Sequence, residues 1–207
     1  MAFVKRKTMK AAAVEHPLQR RNDAELTACL EDADPQTRRH AAQDLRRCPK
    51  ATGALIRRLK CEPDAAVREA ILTTLVRLDD PSAAAGMAEC LRSEDAALRN
   101  EVIEAIGLLP DDISATLRML LSDPDPDLRI FAINILDSRR HPDAESWLIK
   151  VIEQDAHLNV CATALDLLCE VGTEASLEPL LRLKGRFASD NFIQFATNRA
   201  IKRIRGV

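Results

Sequence analysis

An arginine recurs at positions 38, 68, 99 and 129 with closely similar text around it each time: DPQTRRHAAQDL, DAAVREAILTTL, DAALRNEVIEAI and DPDLRIFAINIL. Four residues before each arginine stands an aspartate: Asp34, Asp64, Asp95 and Asp125. Three, four and seven residues after it stand apolar side chains. These are Ala41, Ala42 and Leu45; Ile71, Leu72 and Leu75; Val102, Ile103 and Ile106; Ala132, Ile133 and Leu136. Offsets of three, four and seven fall on one face of an α-helix, so the same helix is written four times in register. A fifth copy keeps the apolar phase (Ala164, Leu165, Leu168) with Cys161 at the arginine position. A sixth, less regular copy, DNFIQFATNRAI, places Gln194 in the arginine slot and Ile201 in the last apolar one.

The alignment continues upstream. Twelve residues before each anchor lie Leu26, Ile56, Met87, Leu117 and Ile149, and nine before lie Cys29, Leu59, Cys90, Leu120 and Ile152. Each unit therefore predicts a first helix, a short turn and a second helix. One such hairpin cannot bury its apolar faces alone, whereas a stack of them builds a continuous core. Aromatic residues at 3%, no Tyr and only six Gly argue against a sandwich or barrel. The expectation is an all-α, right-handed α-solenoid of five to six helical hairpins over residues 23–207.

The motif has a physical logic. The aspartate is placed to cap the second helix by accepting hydrogen bonds from its free N–H groups. Proline in the next position, as in Asp34-Pro35 and Asp125-Pro126, suits a first helical residue whose N–H would have no partner. The arginine one turn in lies beside the apolar face, so its guanidinium is predicted to be partly buried. There its fork of donors would reach carboxylates or helix-end carbonyls of its own and adjacent units, forming an Arg–Asp ladder.

Units of about 30 residues reading D-x-x-v-R-x-x-A-a-x-x-L resemble HEAT-like repeats of the short bacterial type, also found in phycobilin lyases. The resemblance covers residues 24 to about 205. It implies a non-catalytic protein-binding scaffold or adaptor. The alternative it implies is a lyase or chaperone-like protein acting on a tetrapyrrole-bearing protein. Other members of this repeat family are deoxyhypusine hydroxylases, which use His-Glu pairs, but no His-Glu dipeptide occurs here and the four histidines fall in unrelated repeat phases. Neither a metal site nor a cofactor is expected, and the protein is expected not to be an enzyme.

Charge narrows the partners. Residues 1–22 hold Lys5, Arg6, Lys7, Lys10, Arg20 and Arg21 against Glu15, which leaves the rest of a chain of net charge −2 clearly acidic. An acidic body argues against nucleic acid, whose binding depends on phosphate neutralisation. The basic stretch 1–22 reads as a disordered leader. No apolar run approaches a membrane span, and the six cysteines form no C-x-x-C pair, so reduced thiols and a cytoplasmic location are expected. In stacked hairpins the second helices line the concave side, which would expose the positions one and five residues after each anchor. Glu69, Thr73, Asn100, Glu104, Asn134 and Asp166 are the candidate partner-binding residues on that stripe. Trp147 joins them, because it stands where the other units have Ala24, Ala54, Ala85 and Ala115. It either fills space in a longer unit or projects as an interface anchor.

Overall fold

A computed structural model describes residues 22–206 except 79, 111 and 140. Residues 1–21, and with them the expected leader, lie outside the described residues. The described chain forms six consecutive helical hairpins, with no strand among the described residues. They are α1 (Asp23–Cys29) with α2 (Pro35–Asp44), α3 (Thr52–Leu59) with α4 (Ala65–Arg77), and α5 (Ser82–Ala88) with α6 (Ala96–Gly107). Next come α7 (Ser114–Leu121) with α8 (Pro126–Arg139), α9 (Ala144–Gln154) with α10 (Leu158–Val171), and α11 (Leu177–Arg186) with α12 (Asn191–Arg205). The sixth, irregular copy is thus a full hairpin, and the fold is an α-solenoid.

The second helices start where the aspartates predict. Asp34 accepts from the N–H groups of Gln36 and Thr37, Asp64 from Ala66 and Val67, and Asp95 from Ala97 and Leu98. Asp125 accepts from Asp127 N–H at 2.9 Å, and Asp190 does the same for α12 from Ile193 at 2.8 Å. Each such bond satisfies a helix-end donor that otherwise has no partner, worth about 1 kcal/mol. Unit five is the exception: His157 stands at the start of α10 and its side chain makes no cap bond.

The core runs the length of the stack. Leu55, Met87, Leu117, Leu148 and Leu180 from the first helices meet Ile71, Ile106, Ala132, Leu165 and Ala200 from the second, all fully buried. Truncating any of the large ones would cost about 2–5 kcal/mol. In five of the six units the residue just before the anchor also belongs to this core: Val67, Leu98, Leu128, Val160 and Ile193 are buried, whereas Thr37 is half-buried. That position extends the predicted face by one turn, since offsets of −1, +3 and +7 lie along one helical stripe. Cys90 is a buried core residue and Cys29 is half-buried against the same core. Second helices pack on one another at every step, α2–α4–α6–α8–α10–α12, and more extensively than the first helices do. That asymmetry sets the second helices on the tighter, inner side of the stack.

Candidate protein-binding surface

Two surfaces of the stack carry its polar chemistry. The first is the edge where each hairpin turns. Arg38 and Arg68 are 6% exposed, as buried as the apolar core around them. Arg38 grips Glu62 of the next unit through Nε and Nη2 at 2.8 and 2.7 Å, and its Nη1 donates to the carbonyls of Asp32 and Ala33. Arg129 repeats this geometry one for one: 2.6 and 3.1 Å to Asp155, with Nη1 on the carbonyls of Asp123 and Pro124. Arg68 takes Glu101 instead, at 2.8 and 2.9 Å, because the position held by Glu62 and Asp155 is Ser93 in its neighbour. Arg99 bonds the Ser93 carbonyl at 2.6 Å and sits over the Phe131 ring.

The expected ladder of arginines on carboxylates of adjacent units is therefore present, and Arg68 also lies 3.6 Å from the capping Asp95 of the next unit. For Arg38 and Arg129 the rung is an acid six residues before the next anchor, Glu62 and Asp155. That position also accepts the N–H of the capping residue: Asp64 to Glu62 at 3.0 Å, Asp125 to Asp123 at 3.0 Å, His157 to Asp155 at 2.8 Å. The acid at this spacing (Asp32, Glu62, Asp123, Asp155) was a legible repeat signal that the arginine alignment passed over. Burial opposes ionisation of Glu62, but bonds from Arg38, the Asp64 N–H and Arg58 outweigh it and hold the carboxyl down at about 2. In unit five Cys161 replaces the arginine, and Arg186 of α11 fills the gap, 3.0 Å from its Sγ. Burial nevertheless pushes the Cys161 thiol up, and it pushes Cys90 to about 11, so neither is an activated nucleophile. In unit six Gln194 takes the arginine's place and donates to the carbonyls of Lys184 and Phe187.

The second surface is the row of furrows between successive second helices. Between α4 and α6 lies a furrow of about 740 Å³. Leu72, Val76, Ala105 and Leu108 give it an apolar lining, beside Glu69, Thr73, Glu101 and Glu104. Leu108 is 71% exposed, an unusual position for a leucine. The same repeat positions between α8 and α10 make a furrow of about 340 Å³ with different chemistry: Asn134, Asp137, Asp166 and Glu170 face Arg199. Asp166 pairs with Arg199 at 3.5 Å. In the intervening α6–α8 step the half-buried Phe131 and Ile103 pack against the core, and Ser138 approaches Gly107 so closely that an added Cβ would lie 2.4 Å from its Oγ.

Five of the seven sequence-predicted residues line these furrows: Glu69, Thr73 and Glu104 in one, Asn134 and Asp166 in the other. All five are exposed. Asn100 is exposed on α6 but lines neither furrow. Trp147 does not project: it is 8% exposed and stacks on His141 with ring centroids 4.5 Å apart, so it fills space between α9 and the preceding loop. Two residues were missed. The same stripe rule applied to unit six gives Phe195, 67% exposed, and Arg199.

Around Trp147 runs a short polar chain. His141 Nδ1 accepts the Asp143 N–H at 3.0 Å, which leaves Nε2 as the donor to Ser114 Oγ at 2.9 Å. Ser114 in turn donates to Asp112. The protons run from imidazole to hydroxyl to carboxylate, opposite to what a histidine base drawing a proton from serine needs. Among the described residues there is no cluster of His, Cys, Asp and Glu able to hold a metal, and no helix long and apolar enough to cross a membrane.

A sequence profile of HEAT repeats matches residues 24–107 and 113–190, most of the chain and both furrow-forming regions. The chain belongs to the HEAT-repeat family. No curated protein matches it. Among solved structures, an engineered protein determined by the Northeast Structural Genomics Consortium aligns with a TM-score of 0.40 and 18% identity, over 89% of this chain and 96% of its own. The complex of CpcE and CpcF of phycocyanin lyase from Nostoc sp. PCC7120 aligns with a TM-score of 0.38 and 17% identity, over 96% of this chain and 100% of that chain. Likenesses at this level transfer neither partner nor activity. What is particular to this HEAT-repeat protein lies where its units differ from one another, in the furrows.

Proposed function

We propose that this HEAT-repeat protein is a non-catalytic scaffold or adaptor that presents its second-helix face to a protein partner. One observation carries the reading. Glu69, Thr73, Glu104 and Asn134 are exposed in the furrows and their side chains make no hydrogen bond or ion pair among the described residues, so the fold does not require those side chains. The arginine edge is the reverse, with its polar groups spent on the stack itself. Affinity would come from many modest contacts along a preformed surface, without the entropy of ordering a loop. The test is affinity capture from native-cell lysate with the full chain and with a Glu104→Ala, Asn134→Ala, Asp166→Ala variant of unchanged helicity. Loss of a specific protein with the variant supports the reading, and undiminished recovery removes the furrows from it.

A second reading, a lyase or chaperone for a tetrapyrrole-bearing protein, draws support from the Trp147–His141–Ser114 cluster. That cluster adjoins a cleft of about 410 Å³ lined by Arg118 and Lys150, cations suited to an anionic planar ligand. Visible absorbance in the purified protein, or its appearance on adding a bilin, would favour this reading over the first.

A further inference from the structure

The α4–α6 furrow differs from its homologues in combining an apolar lining with unspent negative charge. Arg68 holds Glu101, but the Glu69 and Glu104 carboxylates have no ion-pair or hydrogen-bond partner among the described residues. The one cation on the lining is Arg77, at one end. In the α8–α10 furrow Arg199 already answers Asp166, and in the α6–α8 step Phe131 and Ile103 take the apolar positions. A complementary occupant of the α4–α6 furrow would therefore bring apolar side chains together with cations.

The chain contains such a stretch. Phe3 and Val4 precede Lys5, Arg6 and Lys7, in a segment that is basic while the remainder of the chain is acidic. We propose that residues Phe3–Lys7 of the same chain dock in the α4–α6 furrow, with Phe3 and Val4 on Leu72, Val76 and Leu108 and the cations toward Glu69 and Glu104. The tether is long enough. From Val4 to Asn22, the cap of α1, the chain can span on the order of 60 Å at about 3.3 Å per residue. The furrow lies between the second and third hairpins, and packed helices are separated by roughly 8–10 Å, so the route is on the order of 30 Å. Tethering also sets an effective concentration on the order of millimolar, so even a weak contact is populated.

The experiment replaces Phe3 with the photo-crosslinking residue p-benzoylphenylalanine in the full chain and maps the adducts by mass spectrometry. Equal amounts of 14N- and 15N-labelled chains separate adducts within one chain from adducts between chains. The expected result is adducts within one chain at residues 72–76 and 105–108, reduced at least fivefold by Glu69→Lys with Glu104→Lys in a variant of unchanged helicity. Adducts scattered over other faces, no adducts, or yields indifferent to the charge reversal would overturn the proposal. Adducts mainly between chains would overturn it in favour of a second copy as the occupant. The capture variant above shares Glu104 with this furrow, so capture is repeated with Asn134→Ala and Asp166→Ala alone, which leave the α4–α6 furrow intact, and either idea can then fail alone.

Discussion

The turn edge of the stack and its second-helix face are written by the same repeat, yet the units agree at the edge and diverge on the face. At the edge, Arg38 and Arg129 make the same four kinds of contact more than ninety residues apart in sequence. Where a unit departs, another contact stands in: Glu101 serves Arg68, the Phe131 ring lies under Arg99, Arg186 comes to Cys161, and Gln194 takes the place of the sixth arginine. On the face, nothing restores uniformity. One furrow is apolar with glutamates beside it and its homologue is polar with an arginine across it. Compensation marks positions the fold needs, and uncompensated variation marks positions it leaves free for binding.

The largest effect that could break this contrast is at Glu62. Glu62→Ala leaves Arg38 buried without its carboxylate and takes a partner from Arg58. The expected loss is about 3–5 kcal/mol, read from urea denaturation of the full chain. A loss under about 1 kcal/mol would mean that the edge pairs behave like ordinary surface pairs, and the distinction between edge and face would fall.

Acid titration tests the same rung without mutation. The Glu62 carboxyl is depressed in the folded chain to about 2 from an ordinary 4.5. A depressed acid contributes stability that is fully present above its unfolded value and is lost as pH falls through the folded one. Stability should therefore decline between about pH 4.5 and pH 2, with about 3 kcal/mol of the decline assignable to this group. Glu62→Gln should flatten that part of the profile. An unchanged slope would place the acid sensitivity elsewhere.

Helix starts come next in size. Asp95→Ala removes the acceptor for the Ala97 and Leu98 N–H groups and should cost about 1 kcal/mol. His157→Asp should do the reverse, supplying unit five with the cap it lacks and raising stability by up to about 1 kcal/mol. Thermal melts of both variants check the pair. If His157→Asp destabilises, the start of α10 departs from the rule governing α2, α4 and α6.

How much of this was legible in the sequence depended on whether the feature repeats. The hairpins, the caps and the buried arginines follow from spacing alone, because the same residue type stands in the same slot four times. The acids that receive Arg38 and Arg129 also stand in one repeat slot, at Glu62 and Asp155, but their partners lie about 25 residues away and become apparent only when the units stack. Trp147 was ambiguous because its ring direction depends on His141, a loop residue outside the repeat phase. The furrow stripe was placed by periodicity, whereas its chemistry was not. Which furrow stays open depends on the bulk of single residues such as Phe131 and Ala105, to which the period is blind.

The smallest expected effect on stability falls on the face. Glu104→Ala and Asn134→Ala remove no observed bond, so each should change stability by no more than about 0.5 kcal/mol. Asp166→Ala gives up one pair with Arg199 in which both side chains are more than half exposed, at 56% and 57%. Screening by solvent leaves such a pair worth about 0–1 kcal/mol. The triple variant should therefore melt within a few degrees of the parent while partner recovery falls. Were it to melt as Glu62→Ala does, these residues would belong to the fold after all, and any lost binding would report unfolding rather than a lost contact. A variant that keeps its melt and loses its partner would separate the two surfaces, with stability residing at the edge and recognition on the face.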